Sequence, residues 1–285
     1  MDAAENRILA ETLDLVGDIL GAEAERIEVE RAVIGLFFSG VKLKNGIAGA
    51  CATPIKTIPE AVCCPSSAMA MPFPGKLRGR PAFDLAREAL GQNGIRRAVG
   101  IAALNALADM SWRRRPHPDF ELRLGIDAFD AAAIRPGERV VVVGAFVPFL
   151  RALKAMGQPY LVLEQDPATL KPDELPFFRP AEAAAAVVPG ADVLLITGTT
   201  LINDTLDGLL AFARPTARVT MVGPTVGLLP DAFMRRGADI LGSVRIAAPD
   251  AFLDILAEGG SGYHFFGRSA QKVVLVRRAS TAQAA

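Results

Sequence analysis

Residues 139–150, RVVVVGAFVPFL, and residues 192–204, DVLLITGTTLIND, decide the fold. Each is a short apolar run that stops at a glycine turn and passes into helical spacing. Runs of that kind read as strands buried on both faces, whereas a solvated sheet would alternate apolar and polar residues. Working outward, the pattern predicts strands over Arg139–Val143, Tyr160–Leu163, Asp192–Thr197, Arg218–Val222 and Lys272–Val276. Helices are expected between them over Val147–Met156, Pro180–Val188, Leu201–Phe212 and Pro230–Arg236. Strands alternating with helices imply a mostly parallel, doubly wound α/β sheet.

Ligands of such sheets bind beyond the carboxyl ends of the strands, so the strand-terminal turns hold the candidate residues. In the first turn Gly144 stands where a dinucleotide fold places its first glycine, but Ala145 and Phe146 follow and no G-x-G-x-x-G is present. Tight NAD or FAD binding is therefore not expected, with Phe146 read as a pocket wall. Glu164 ends the next strand, at the place where an acidic residue would grip a ribose. The second turn offers Thr197, Gly198, Thr199 and Thr200, with Asn203 a helical turn further on. The third offers Gly223, Pro224 and Thr225. Hydroxyls and backbone amides at the start of a helix favour an anion or an oxygen-rich ligand. They serve equally as helix caps.

The N-terminal part reads differently. Apolar residues at helical spacing from Asp2 to Leu20 predict an amphipathic helix closed by Gly21. From Val33 to Thr53 the pattern becomes β, and Asn45-Gly46 between the apolar runs 36–43 and 47–53 marks a hairpin. Two more helices are expected over Pro81–Leu90 and Ile95–Met110, the second apolar enough to be buried. Residues Trp112–Gly125, with consecutive arginines and two prolines, read as a linker or interdomain loop. The expected division is an α+β domain over 1–115 and an α/β domain over 116–285.

Every cysteine falls within residues 49–65, GACATPIKTIPEAVCCP. Thiolates select soft transition metals, so Cys51, Cys63 and Cys64 are candidate ligands for zinc, iron or another such ion. A structural zinc site normally needs a fourth ligand, and His264 is a candidate for completing the set. The competing reading makes these cysteines small buried hydrophobes or a redox switch. His117, in the expected linker, has no assigned role. No G-x-S-x-G nucleophile elbow occurs, so the sequence assigns no catalytic residue and leaves enzymatic activity open.

Lys plus Arg and Asp plus Glu both total 31 in a chain of 285 residues, so no basic field exists to concentrate nucleic acid. The acidic start MDAAENRILAETLDLV lacks the basic and apolar regions of a secretory signal, and no apolar run is long enough to span a bilayer. A cytoplasmic protein is expected, with a metal or a small molecule as its partner and a homodimer left open.

The segments SGVKLKNGIAGACAT, GIAALNALAD, VGAFVP, ITGTTLIND, VGPT and FGRSAQKVVL, in that order and spacing, resemble the heavy-metal chelation family of domains of unknown function. The resemblance covers nearly the whole chain. It implies an enolase N-terminal-like domain followed by a Rossmann-like domain, with a cleft between them as the site. That cleft would draw Phe146, Thr199, Thr200, Asn203 and Thr225 toward the hairpin and the cysteine loop. Many members carry an aromatic residue near the position of Cys51 and lack the Cys63–Cys64 pair, a point where this chain departs from the pattern. The function implied is binding of a metal ion, a metal complex or an anionic small molecule in that cleft, including heavy-metal chelation. The alternative is an enzyme acting there on a nucleotide-like or organic anion, with the cysteines structural or redox-sensing.

Overall fold

The computed structural model describes residues 7–57, 71–92 and 94–278. Cys63 and Cys64 lie outside the described residues. The chain opens with α1 (Arg7–Leu20) and a short α2 (Ala22–Arg26), and α1 buries Ile8, Leu9, Leu13, Val16 and Leu20 as its spacing requires. Strands β1 (Val29–Ile34), β2 (Phe38–Leu43) and β3 (Ala48–Ala52) then form an antiparallel sheet in the order β1-β2-β3. The Asn45-Gly46 turn joins β2 to β3 as expected, closed by the bond from the Leu43 amide to the Ile47 carbonyl (2.8 Å). After α3 (Ala82–Arg87) comes α4 (Gly94–Arg114), whose long apolar face packs on β2, β3, α1 and α3.

The segment read as a linker is not one. Helix α4 runs on to Arg114, and β4 (Phe120–Leu124) joins the large sheet as an edge strand. Its partner is β11 (Ala270–Arg277), far away in sequence, so nothing local to the arginine run signals the pairing. Between them in sequence lie α5 (Ala128–Ala131), β5 (Val140–Val143), α6 (Val147–Ala155), β6 (Tyr160–Glu164), β7 (Phe178–Pro180) and α7 (Ala184–Val187). These are followed by β8 (Val193–Thr197), α8 (Thr199–Ile202), α9 (Leu206–Phe212) and β9 (Arg218–Val222). The described chain then adds α10 (Asp231–Met234), β10 (Ala238–Ile246), α11 (Pro249–Ala257) and α12 (Gly262–Phe265) before β11.

The large sheet has eight strands in the order β4-β11-β10-β9-β8-β5-β6-β7. Strands β10, β9, β8, β5, β6 and β7 run parallel, and β11 is antiparallel to both β10 and β4. The mostly parallel α/β architecture expected from the sequence is therefore present, alongside the small antiparallel sheet. Because β6 and β7 lie on one side of β5 and β8 on the other, the strand order reverses at β5. A crevice forms at such a point in doubly wound sheets.

One hydrophobic core runs through both sheets, including Val41 and Leu43 of β2, Ile101 and Leu104 of α4, Val143 of β5 and Ile196 of β8. Polar pairs add to the join. Asp109 on α4 takes Arg245 of β10 at 2.6 Å and Arg113 at 2.9 Å. Lys42 of β2 reaches Asp250 of α11 at 2.9 Å and Glu30 at 2.8 Å, and these bonds, Glu30's foremost, raise its pKa.

Candidate functional site

A depression of about 360 Å³ lies over the carboxyl ends of β5, β6 and β8, at the point where the strand order reverses. Gly144, Glu164, Thr197, Thr199, Thr200 and Asn203 all line it, together with Asp204, Thr205, Asp207 and the apolar Val143, Leu163, Leu209 and Phe212. Gly144 (φ +94°) lets the first turn close on the second, since a Cβ there would stand 2.7 Å from Thr197 Cγ2. Gly198 does the same for the third turn: its Cβ would lie 2.9 Å from the Cβ of Thr225.

Glu164 is held by backbone. Its Oε2 accepts from the Ala145 amide (2.8 Å), and its Oε1 accepts from the amides of Gln165 (2.7 Å) and Asp166 (3.2 Å). The amide that would receive a pyrophosphate at this turn is thus already bonded to a carboxylate. Phe146 is not among the residues lining the depression; its ring packs at 4.5 Å on Phe149, which in turn meets Phe129.

The threonines divide by role. Thr200 donates to the Thr197 carbonyl at 2.7 Å, a bond inside its own turn. Thr199 is exposed and its hydroxyl lies 3.2 Å from that of Thr197, leaving both at the opening. The expected helix over Leu201–Phe212 breaks into α8 and α9 because Asp204 takes a left-handed conformation (φ +62°) between them. Sequence reading passed over Asp204, Thr205 and Asp207, although an Asn-Asp pair is itself a turn signal. Burial raises the pKa of Asp204, partly countered by Arg97 at 4.0 Å. Asp207 pairs with Arg236 at 2.5 Å, and neither arginine lines the depression.

The third turn faces elsewhere. Thr225 is buried, accepts the Ala52 amide at 3.0 Å, and lies 3.8 Å from Cys51 Sγ. Asn105 of α4 donates to the carbonyls of Ala50 (2.9 Å), Pro224 (3.2 Å) and Thr225 (3.0 Å), while Gly223 (φ +120°) shapes the bend. Thr225, Pro224 and Cys51 therefore meet where the small sheet joins the large one, and none of them lines the depression. Cys51 is free and fully buried, and burial pushes its thiol up to about 12. Among the described residues no group of three or more His, Cys, Asp or Glu is placed to hold an ion.

The histidines are placed apart from both regions. His264 Nδ1 accepts the Ser261 amide at 3.0 Å, capping α12. His117 Nδ1 accepts the Asp119 amide at 3.1 Å, with Nε2 3.7 Å from Asp231.

Comparison with known proteins agrees with this architecture. Two solved structures of proteins with unknown function from the DUF364 family superpose along nearly their whole lengths. The one from Pyrococcus horikoshii has a TM-score of 0.71 at 20% identity, covering 94% of this chain and 98% of that one. The one from Desulfitobacterium hafniense gives 0.69 at 21% identity, covering 94% and 99%. An uncharacterized protein of Methanocaldococcus jannaschii is 30% identical over 178 residues, which span 61% of this chain and 64% of that protein. Family models for DUF364, matching residues 127–275, and DUF4213, matching residues 18–108, both carry the description "putative heavy-metal chelation". With the first of these spanning β5 to β10 and most of β11, and the second the small sheet, the chain belongs to the heavy-metal chelation family so described.

Proposed function

We propose that the depression over β5, β6 and β8 takes up a metal as its complex with a small organic chelator, carrying positive or no net charge. The observation that supports this is the chemistry of the lining. Glu164, Asp204 and Asp207 contribute carboxylates, four threonines contribute hydroxyls, and among the described residues no Lys or Arg lines it. A free anion would meet that charge unfavourably, and the Ala145 amide is already used by Glu164. A bare ion lacks a converging ligand set among the described residues, whereas a complex brings its own.

In this reading residues 1–115 and 116–285 are the two units, and the location is the cytoplasm, where a free Cys51 stays reduced. Cys63 and Cys64 keep their proposed role as soft ligands that could receive the metal. Cys51 is assigned to packing. Its burial also favours the structural-cysteine clause of the second reading, an enzyme acting on a nucleotide-like or organic anion.

Hexaamminecobalt(III), a substitution-inert cationic complex, tests the charge argument by calorimetry. Binding is expected in the unmodified chain and is expected to weaken at least about tenfold in Thr199→Lys, which sets a cation at the opening. Equal binding by the variant, or sulfate binding in place of the complex, overturns the reading.

A further inference from the structure

Among the described residues no strand pairs with the outer edge of β4, although the Phe120 amide there is held by the His117 carbonyl (3.2 Å). Antiparallel strands alternate between residues that exchange hydrogen bonds with the neighbour and residues whose N–H and C=O point away from it. Here the Gly125 amide donates to the Lys272 carbonyl (2.8 Å) and the Arg278 amide to the Asp119 carbonyl (2.7 Å). Those bonds, together with the register Arg123 opposite Val274 and Glu121 opposite Val276, fix the odd-numbered residues as the ones facing β11. Leu122 and Leu124 therefore direct their amides and carbonyls outward.

Natural sheets blunt such edges with prolines, bulges or very short strands. The opposite edge follows that rule, since β7 spans three residues and ends in Pro180. Strand β4 does not. Its five residues, FELRL, hold no proline and no lysine, its register with β11 is unbroken, and Leu124 is 53% exposed.

The sequence of this edge is complementary to itself. An antiparallel copy related by a two-fold axis through Leu122 would pair Leu122 with Leu122, Phe120 with Leu124, and Glu121 with Arg123. In that register the outward groups of Leu122 bond each other, and the Leu124 amide reaches the Phe120 carbonyl, which already accepts Arg278 Nε (3.1 Å) through one lone pair. The Glu121–Arg123 pairs then fall at the closer, non-hydrogen-bonded positions, where cross-strand charge pairing acts most strongly. Shifting the axis to residue 123 keeps the backbone bonds but sets Arg123 against Arg123. Charge thus selects the first register.

We propose that the chain forms a homodimer by antiparallel pairing of β4 with β4 of a second copy about Leu122, which continues the eight-stranded sheet from one copy into the other. Within one copy Glu121 and Arg123 already pair with each other, so dimerisation exchanges that contact for its symmetric equivalents.

Sedimentation velocity of the full chain across micromolar concentrations tests this. The unmodified protein is expected to be dimeric. Arg123→Glu, which sets Glu against Glu121 of the second copy, is expected to weaken association at least about tenfold with an unchanged circular dichroism spectrum. The double variant Glu121→Arg, Arg123→Glu restores complementarity and should restore the dimer. A monomeric wild type, an Arg123→Glu protein that associates equally well, or a double variant that stays monomeric overturns the proposal.

Discussion

Cys51 shows how far the tertiary setting of one residue can depart from its chemistry in isolation. It sits in β3 with no exposed surface, and burial pushes its thiol from an ordinary value near 9 up to about 12. Because the folded value is raised, this neutral thiol supports the fold below about pH 9, and that contribution fades as pH climbs toward 12. In a Cys63→Ser, Cys64→Ser background, Cys51 should resist Ellman's reagent while folded and react once denatured. Rapid labelling of the folded double variant would show an accessible thiolate and return Cys51 to the candidate ligands. Glu164 and Thr225 make the same point. One carboxylate is absorbed by three backbone amides and one hydroxyl by the Ala52 amide, so both side chains act first as structural ties.

At the scale of elements, short helices are held by what they touch. Helix α10 has four residues, too few to be stable alone, and it leans on α1 through Glu11. Hydrogen bonds from Arg236, and then Arg235, hold the Glu11 carboxyl down at about 2. A depressed carboxylate contributes stability above its unfolded value near 4.5 and loses it as pH falls toward 2. The melting temperature should therefore drop on acidification through that window, and Glu11→Gln should flatten the drop while costing about 1 kcal/mol or less at neutral pH. Thermal melts at about pH 3 and about pH 7 decide it, and an identical acid slope in the variant would clear Glu11 of the role. Helices α8 and α9 likewise depend on their setting, because the left-handed Asp204 between them is tolerated where Arg97 and the Ile202 carbonyl form a local polar cluster (2.8 Å).

For the whole molecule, α4 is the keystone. It carries Asn105, whose amide group bonds one carbonyl of β3 and two of the turn after β9, and Asp109, which binds Arg245 of β10. Asn105→Ala leaves buried carbonyls unpaired at the seam and should cost about 2–3 kcal/mol. Since one core runs through both sheets, the loss should appear as a single transition shifted down in temperature. Two separate transitions in calorimetry would mean that the sheets melt as independent units.

The sequence alone determined the alternation of strand and helix from Arg139 onward, the Asn45-Gly46 hairpin and the strand-end turns with Gly144, Thr197 and Gly198. These follow from hydrophobic period and turn chemistry, which are local properties of the chain. It did not reveal β1, β4, β10 or α11. Strand β4 in particular is a short alternating run, FELRL, behind an arginine- and proline-rich stretch, and its hydrogen bonds come from β11, some 150 residues later. Nor could it decide which candidate residues share a surface. Thr199 and Thr225 sit in similar turns on neighbouring strands, yet Thr199 opens to the depression whereas Thr225 is covered by β3. Similar local chemistry met different neighbours, and which neighbour arrives is settled by how α4 seats the small sheet against the large one.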